Sequence, residues 1–183
     1  LLVVPSFTFS PAIVKDMPVD VARDFAPVTL LNRDPYVVTV YPALPAHSVA
    51  ELVALAKAKP GSLSAGAGNF GSGTYLVTMN FLDAIGVREL STYVPYKSMT
   101  GAFVDVIAGR SQIAVSSIVS AWPFVKAGRL RALAVTGATR SDGLPDTPTV
   151  AEQGIAGFEA IAWNGLVAPA KTPAARIQKL SNA

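Results

Sequence analysis

Cysteine is absent from the 183-residue chain, which excludes disulfides, thiolate metal sites and a cysteine nucleophile. Its absence leaves the compartment open. Histidine is nearly absent: His47 stands alone between Pro45 and a helix start at Ser48, where a solvated loop accounts for it. No Ser-His-Asp set can be assembled around it. Charge is scarce, at 15% of residues, with 15 basic and 12 acidic side chains scattered to a net +3. No stripe of Lys and Arg interleaves with aromatics, so the pattern argues against nucleic-acid binding. The acids, among them Asp20, Asp24, Asp34, Glu51 and Glu152, fall mainly at caps and loops. Neither paired carboxylates nor an H-x-x-x-H spacing occurs, so hydrolase and metal chemistry lack their residues and no cofactor is called for. No apolar run reaches the ~18 residues of a membrane-spanning helix. The opening Leu1-Leu2-Val3-Val4-Pro5 has no initiator Met and no basic stretch, so it reads as the inside of a strand rather than a signal peptide. The chain is therefore expected to be a fragment.

What is present is apolar: 51% of residues are hydrophobic, enough for one full domain with a sizeable core and part of another. Tyr36 to Tyr41 is β-branched and apolar, a buried strand ended by Pro42. Ser48-Val49-Ala50-Glu51 is a capping box, and the helix after it stops at Pro60-Gly61. A glycine-rich turn, 66–73, leads into a helix over about 74–85. A strand at 92–95, a helix around Ala102 to Ile107, a strand at 112–116, a helix at 118–127 and a strand at 130–136 follow. This alternation predicts βαβ units and a parallel or mixed sheet. Thr149-Val150-Ala151-Glu152 is a second capping box, predicting a short helix closed by Gly154. Phe158 to Val167 is an apolar strand interrupted at Asn164-Gly165, and Thr172-Pro173 caps a last helix.

The glycine-rich turn carries the chemistry. Backbone there can approach a ligand closely, and the first N–H groups of the following helix have no intrahelical partners. The helix dipole adds positive potential, and Asn69, Phe70, Ser72 and Thr74 stand at the same turn. Together these make an anion site suited to carboxylate or phosphate. A plain strand-to-helix connection needing positive φ accounts equally well for the glycines. Gly66, Gly68 and Gly71 also match G-x-G-x-x-G, but the preceding Leu63-Ser64-Ala65 is short and small for a dinucleotide-binding strand. Ser116 ends a buried strand, where open α/β sheets place their ligands. Trp163 and Asn164 can wall and hydrogen-bond a ligand.

The order of segments resembles the Bug family, also called TctC-like, the extracytoplasmic binding receptors of tripartite tricarboxylate transporters. The matching stretches include Asp24-Phe25-Ala26-Pro27-Val28, Leu44-Pro45-Ala46 with Ser48 to Leu52, Ala58-Lys59-Pro60-Gly61, Gly71-Ser72-Gly73-Thr74 and Val94-Pro95-Tyr96-Lys97. Lys126 to Thr136, Leu144-Pro145-Asp146, Pro148 to Glu152, and Ala168-Pro169 with Thr172-Pro173 complete the series. The resemblance implies a two-lobed α/β binding protein of the periplasmic type II class, without enzymatic activity. Residues 1–42 and 160–183 would belong to an incomplete first lobe, and 43–159 to a complete second lobe. By position, the carboxylate site falls on Gly71, Ser72, Gly73, Thr74 and Tyr75, with Ser6 and Thr8 offered by a first-lobe loop. Tyr75 stands where members often have His, and Ser116 where many have Asp. The second departure counts against an amino-acid ligand, and Phe70, Tyr75 and Trp163 fit a more apolar or aromatic acid. The implied partners are a small dicarboxylate or aromatic acid and the membrane subunits of the transporter, with self-association through the incomplete lobe. A nucleotide-binding enzyme using the 66–71 turn and a non-binding remnant are the alternatives.

Overall fold

Val37, Val38, Thr39 and Val40 have no exposed surface, so the strand that carries them is covered on both faces and paired on both edges. The rest of the chain is arranged around that strand in the computed structural model, which describes residues 1–182. In chain order it forms β1 (Leu2–Val3), α1 (Pro5–Ile13), α2 (Val21–Asp24), β2 (Phe25–Val40), α3 (Val49–Ala58), β3 (Leu63–Gly68) and α4 (Gly73–Ala84). A single 3₁₀ turn at Arg88–Leu90 precedes β4 (Ser91–Tyr96), α5 (Met99–Ile107), β5 (Ile113–Ser117) and α6 (Ile118–Lys126). β6 (Arg131–Val135), β7 (Ile161–Pro169) and α7 (Ala174–Ser181) complete it. The chain divides into two compact units: Leu1–Arg33 with the stretch from Ala162, and Asp34–Ile161.

The second unit is built on a mixed sheet. β5 and β6 flank the end of β2, both antiparallel to it, with Val38 opposite Val115 on one side and Ala134 on the other. β3 runs parallel to β5 and to β4. Tyr36 to Val40 lie in this unit, whose start at Asp34 comes a few residues before the boundary that the family resemblance implies. Parallel neighbours must be joined by crossovers, and here the crossovers are helices. Because β3, β4 and β5 are parallel, the helices that follow them, α4, α5 and α6, all begin at the same sheet edge. Tyr36 enters the sheet at that edge, opposite Ser117. One core cluster joins Val37, Phe103, Val106, Ala114, Ile118, Leu130 and Val135. Phe81 is fully buried and meets Phe158 edge to face, ring centroids 6.2 Å apart.

Local chemistry explains most of these elements and two departures. Ser48 caps α3 by accepting from the Glu51 N–H at 3.1 Å, but the Glu51 carboxylate reaches back to His47 N–H (2.6 Å) rather than to the cap residue. Thr149 and Glu152 exchange both bonds of a capping box, at 2.8 and 2.9 Å, yet the segment forms turns and no helix. Beyond its local turn bonds, such as Gln153 N–H to Thr149 O, it is tied to β6, Val135 N–H to Pro148 O and Val150 N–H to Val135 O. Arg131 fixes the proline-rich loop after β2 by donating to the carbonyls of Pro42, Leu44 and Ala46.

In the first unit β1 pairs antiparallel with β7, Val3 opposite Gly165. β7 therefore runs unbroken through Asn164-Gly165, where an interruption was expected. Gly165 packs where a Cβ would lie 3.3 Å from the Thr29 carbonyl, so the glycine serves a close strand approach. Ser6 and Thr8 are not in a loop: Pro5 opens α1 at its first turn, and both residues lie inside that helix. The last helix begins with Pro173 as its N-cap and without a side-chain cap bond, so Thr172 does not cap it.

At the end of β4, Tyr96 donates to Asp105 (2.6 Å) and Arg110 Nε holds the same carboxylate (2.9 Å). These bonds, the phenol's first, lower the Asp105 pKa below 3.8. Burial, then Asp105, pushes Tyr96 up to about 12. A depressed folded-state pKa contributes stability that is present above the unfolded value and lost as pH falls through the folded one. Acid titration of unfolding is expected to show this loss below pH 3.8, and Asp105→Asn is expected to flatten that part of the profile. Phe81→Ala should destabilise the second unit by about 3–5 kcal/mol through loss of burial and an unfilled cavity. Val119→Ala, at a side chain 78% exposed, should change it by less than about 0.5 kcal/mol, both read from urea unfolding followed through β5 amide signals.

Candidate functional site

β3 is Leu63-Ser64-Ala65-Gly66-Ala67-Gly68, and its small residues have packing causes. A Cβ on Gly66 would stand 2.9 Å from the Tyr96 ring and 3.2 Å from Ala102 Cβ. A Cβ on Gly68 would stand 2.6 Å from Ser72 Oγ and 2.7 Å from Thr74 Oγ1. Gly71 has φ +79°, a conformation costly for other residues. The three glycines of the G-x-G-x-x-G pattern are thus explained by packing and turn geometry.

The turn folds back on itself. Thr74 Oγ1 accepts from Gly68 N–H (3.0 Å) and pairs with Ser72 Oγ (3.3 Å), while Ser72 N–H donates to Asn69 O (3.0 Å). Ser72 caps α4: its hydroxyl takes the Tyr75 N–H (3.2 Å) and its carbonyl the Leu76 N–H (3.0 Å). The N–H groups of Gly73 and Thr74 find no acceptor among the described residues. They lie at the positive end of a 12-residue helix, half-buried. No acidic residue occupies the first turn of α4, α5 or α6, whereas α3 carries Glu51 there. No acidic side chain in these first turns offsets the positive ends of the three helices.

Aromatic rings border the donors. Tyr75 packs against Phe70 and Tyr93, with centroids 4.9 and 5.0 Å away, and the Tyr93 hydroxyl donates to the Gly68 carbonyl. Burial, and secondarily Tyr75, raises the Tyr93 pKa. Tyr36, which sequence pattern placed simply in a buried strand, brings its phenol to the same spot. Its Oη lies 3.0 Å from where a Cβ of Gly73 would stand. The signal available in the sequence was its place as the first residue of an apolar run after Pro35.

The expected site residues separate by unit. Asn69, Phe70, Gly71, Ser72, Gly73, Thr74 and Tyr75 are together at the start of α4. Ser116 lies on β5 of the same unit, fully buried, its hydroxyl donating to Ser117 O (3.2 Å); Ser117 is the residue that caps α6. Ser6, Thr8, Trp163 and Asn164 belong to the first unit. Thr8 donates to Pro5 O (2.8 Å) and Ser6 O accepts from Ser10 (2.7 Å). Thr8 and Trp163 line one apolar cavity of about 430 Å³ with Phe7, Phe25 and Leu166. Asn164 donates to Asn32 Oδ1 (2.7 Å).

A family model described as "Tripartite tricarboxylate transporter family receptor" matches residues 1–183. An R. palustris protein solved with adipate is 33% identical, with a TM-score of 0.86, over 98% of this chain and 60% of that one. The periplasmic binding protein BugD is 26% identical, TM-score 0.84, over 98% and 59%. MatC from Rhodopseudomonas palustris, solved with bound malate, is 27% identical, TM-score 0.83, over 98% and 61%. The chain spans about half the length of the curated relatives it matches. The fold is the α/β fold of two-lobed periplasmic binding proteins, and its relatives are receptors rather than enzymes. On the match over its whole length, the chain belongs to the tripartite tricarboxylate transporter receptor family.

Proposed function

We propose that this chain is part of a periplasmic solute-binding protein that captures a small carboxylate, a dicarboxylate or aromatic acid, for the membrane subunits of a tripartite tricarboxylate-type transporter. One observation carries the reading: the open N–H groups of Gly73 and Thr74 at an acid-free helix start. A carboxylate accepts strongly from such donors. Two structural relatives hold adipate and malate, both dicarboxylates, which supports the ligand class. The rings of Phe70, Tyr75 and Tyr93 provide an apolar border for the carbon chain or ring of the ligand. The roles of Ser6, Thr8, Ser116, Trp163 and Asn164 rest on the family resemblance and on residue type.

Magnitudes set the expected strength. Each charge-assisted hydrogen bond contributes ~1.5–3 kcal/mol and the helix terminus ~0.3–1 kcal/mol. Association costs several kcal/mol, and micromolar binding needs about 8 kcal/mol. A site of two amides and a few side chains in the second unit therefore binds in the millimolar range.

Calorimetry with adipate, malate, benzoate and NAD at millimolar concentration tests the proposal. Saturable heat with the organic acids is expected, and none with NAD. Ser72→Asp retains an N-capping oxygen, since Asp caps as well as Ser, but places a negative charge beside the donors. It should weaken adipate binding at least about tenfold with the fold unchanged, a loss of ~1.4 kcal/mol. Binding of NAD without any acid, or undiminished adipate binding by Ser72→Asp, would overturn the reading.

A further inference from the structure

Tyr36 is 7% exposed, and its hydroxyl has no hydrogen-bond partner among the described residues. Its backbone groups are paired. Its N–H donates to Thr136 Oγ1 (2.8 Å), and its carbonyl accepts the Thr136 N–H (2.9 Å). It stands opposite Ser117 in the β2–β5 ladder. The backbone thus holds the ring in place while the phenol is left over. The hydroxyl is not sealed from solvent, and without a protein partner it is free to donate to water or to a ligand that reaches it.

Where the phenol ends decides what that acceptor is. The Oη lies against Gly73, 3.0 Å from the position a Cβ would take there, and so beside the two open N–H groups at the start of α4. A side chain at residue 73 would crowd the hydroxyl, so glycine at this position opens both the amide and the phenol to one ligand. We propose that the Tyr36 phenol is a ligand-binding residue, donating to the same carboxylate that the Gly73 and Thr74 amides hold. The assignment deepens the carboxylate reading given above and rests on it.

A carboxylate has two oxygens and about four acceptor positions, more than two amides can fill. A phenol adds a neutral donor to the second oxygen without adding a charge. Burial raises the Tyr36 pKa above its ordinary value, so the hydroxyl keeps its proton at neutral pH. The arrangement favours an ionised carboxylate over an amide or alcohol of the same shape, which accepts fewer bonds. A family of ligands that differ beyond the carboxylate is accommodated, because the phenol contacts only the end they share.

The test uses the chain labelled with ¹³C at the tyrosine ζ carbon, titrated with adipate, together with amide spectra. The Tyr36 signal, one of five, is the one that disappears in Tyr36→Phe. It is expected to shift saturably, with the same midpoint as the Gly73 and Thr74 amides. Tyr36→Phe keeps the ring and the backbone pairing, so its amide pattern away from α4 should match the unaltered chain. Its adipate affinity should fall about tenfold, as for loss of one hydrogen bond to a charged group. If the two amides shift while the ζ carbon stays still and Tyr36→Phe binds equally well, the assignment is wrong and the carboxylate site stands. If neither amides nor ζ carbon respond to adipate, the carboxylate reading fails and the assignment falls with it.

Discussion

The turn between β3 and α4 closes on Gly68, a residue whose backbone is used on every side. Its N–H donates to Thr74 Oγ1, its carbonyl accepts from Tyr93, and the space of its missing side chain is taken by Ser72 and Thr74. With any Cβ there, the two hydroxyls must move by several tenths of an ångström. Ser72 Oγ is also the atom that caps α4, so the shift falls on the cap itself. The cap consumes the Tyr75 and Leu76 N–H groups and spares those of Gly73 and Thr74. The open donors of the turn are thus a by-product of how it is closed: those that remain are the ones the cap does not reach.

The sheet then multiplies this local feature. Parallel β3, β4 and β5 bring the starts of three helices to one edge, so partial positive charge accumulates there without a cluster of lysines or arginines. A net charge of only +3 is enough for an anion site built this way. Antiparallel β2 enters the sheet at the same edge and carries Tyr36 to the start of α4. In the proposed site the mixed topology divides the donors: helices supply amides, and the antiparallel strand supplies a phenol.

Much of the second unit is legible in sequence because its signals are local. The capped helix after Ser48, the helix after the glycine-rich turn, and the apolar strands around Val115 and Leu133 follow from spacing alone, whereas the Ser72 cap does not. The failures have physical causes. The family resemblance places Ser6 and Thr8 in a loop, yet α1 begins at Pro5, where a proline suits the first turn, and runs through Pro11. Thr149 and Glu152 satisfy each other as a capping box whether or not a helix follows, so the motif alone did not distinguish turn from helix. The stretch from Phe25 to Asp34 mixes charges and a proline, and its strand state depends on pairing partners distant in sequence. Tyr36 escaped notice for the same reason. A tyrosine in an apolar run looks like core, and only the register opposite Ser117 and the glycine at 73 reveal where its hydroxyl ends.

The central claim is that a carboxylate occupies the open start of α4. A crystal of the chain soaked with adipate tests it most directly. The account predicts carboxylate density with oxygens about 2.7–3.1 Å from the N atoms of Gly73 and Thr74. Adipate bound elsewhere, with those two amides facing only solvent, would contradict it.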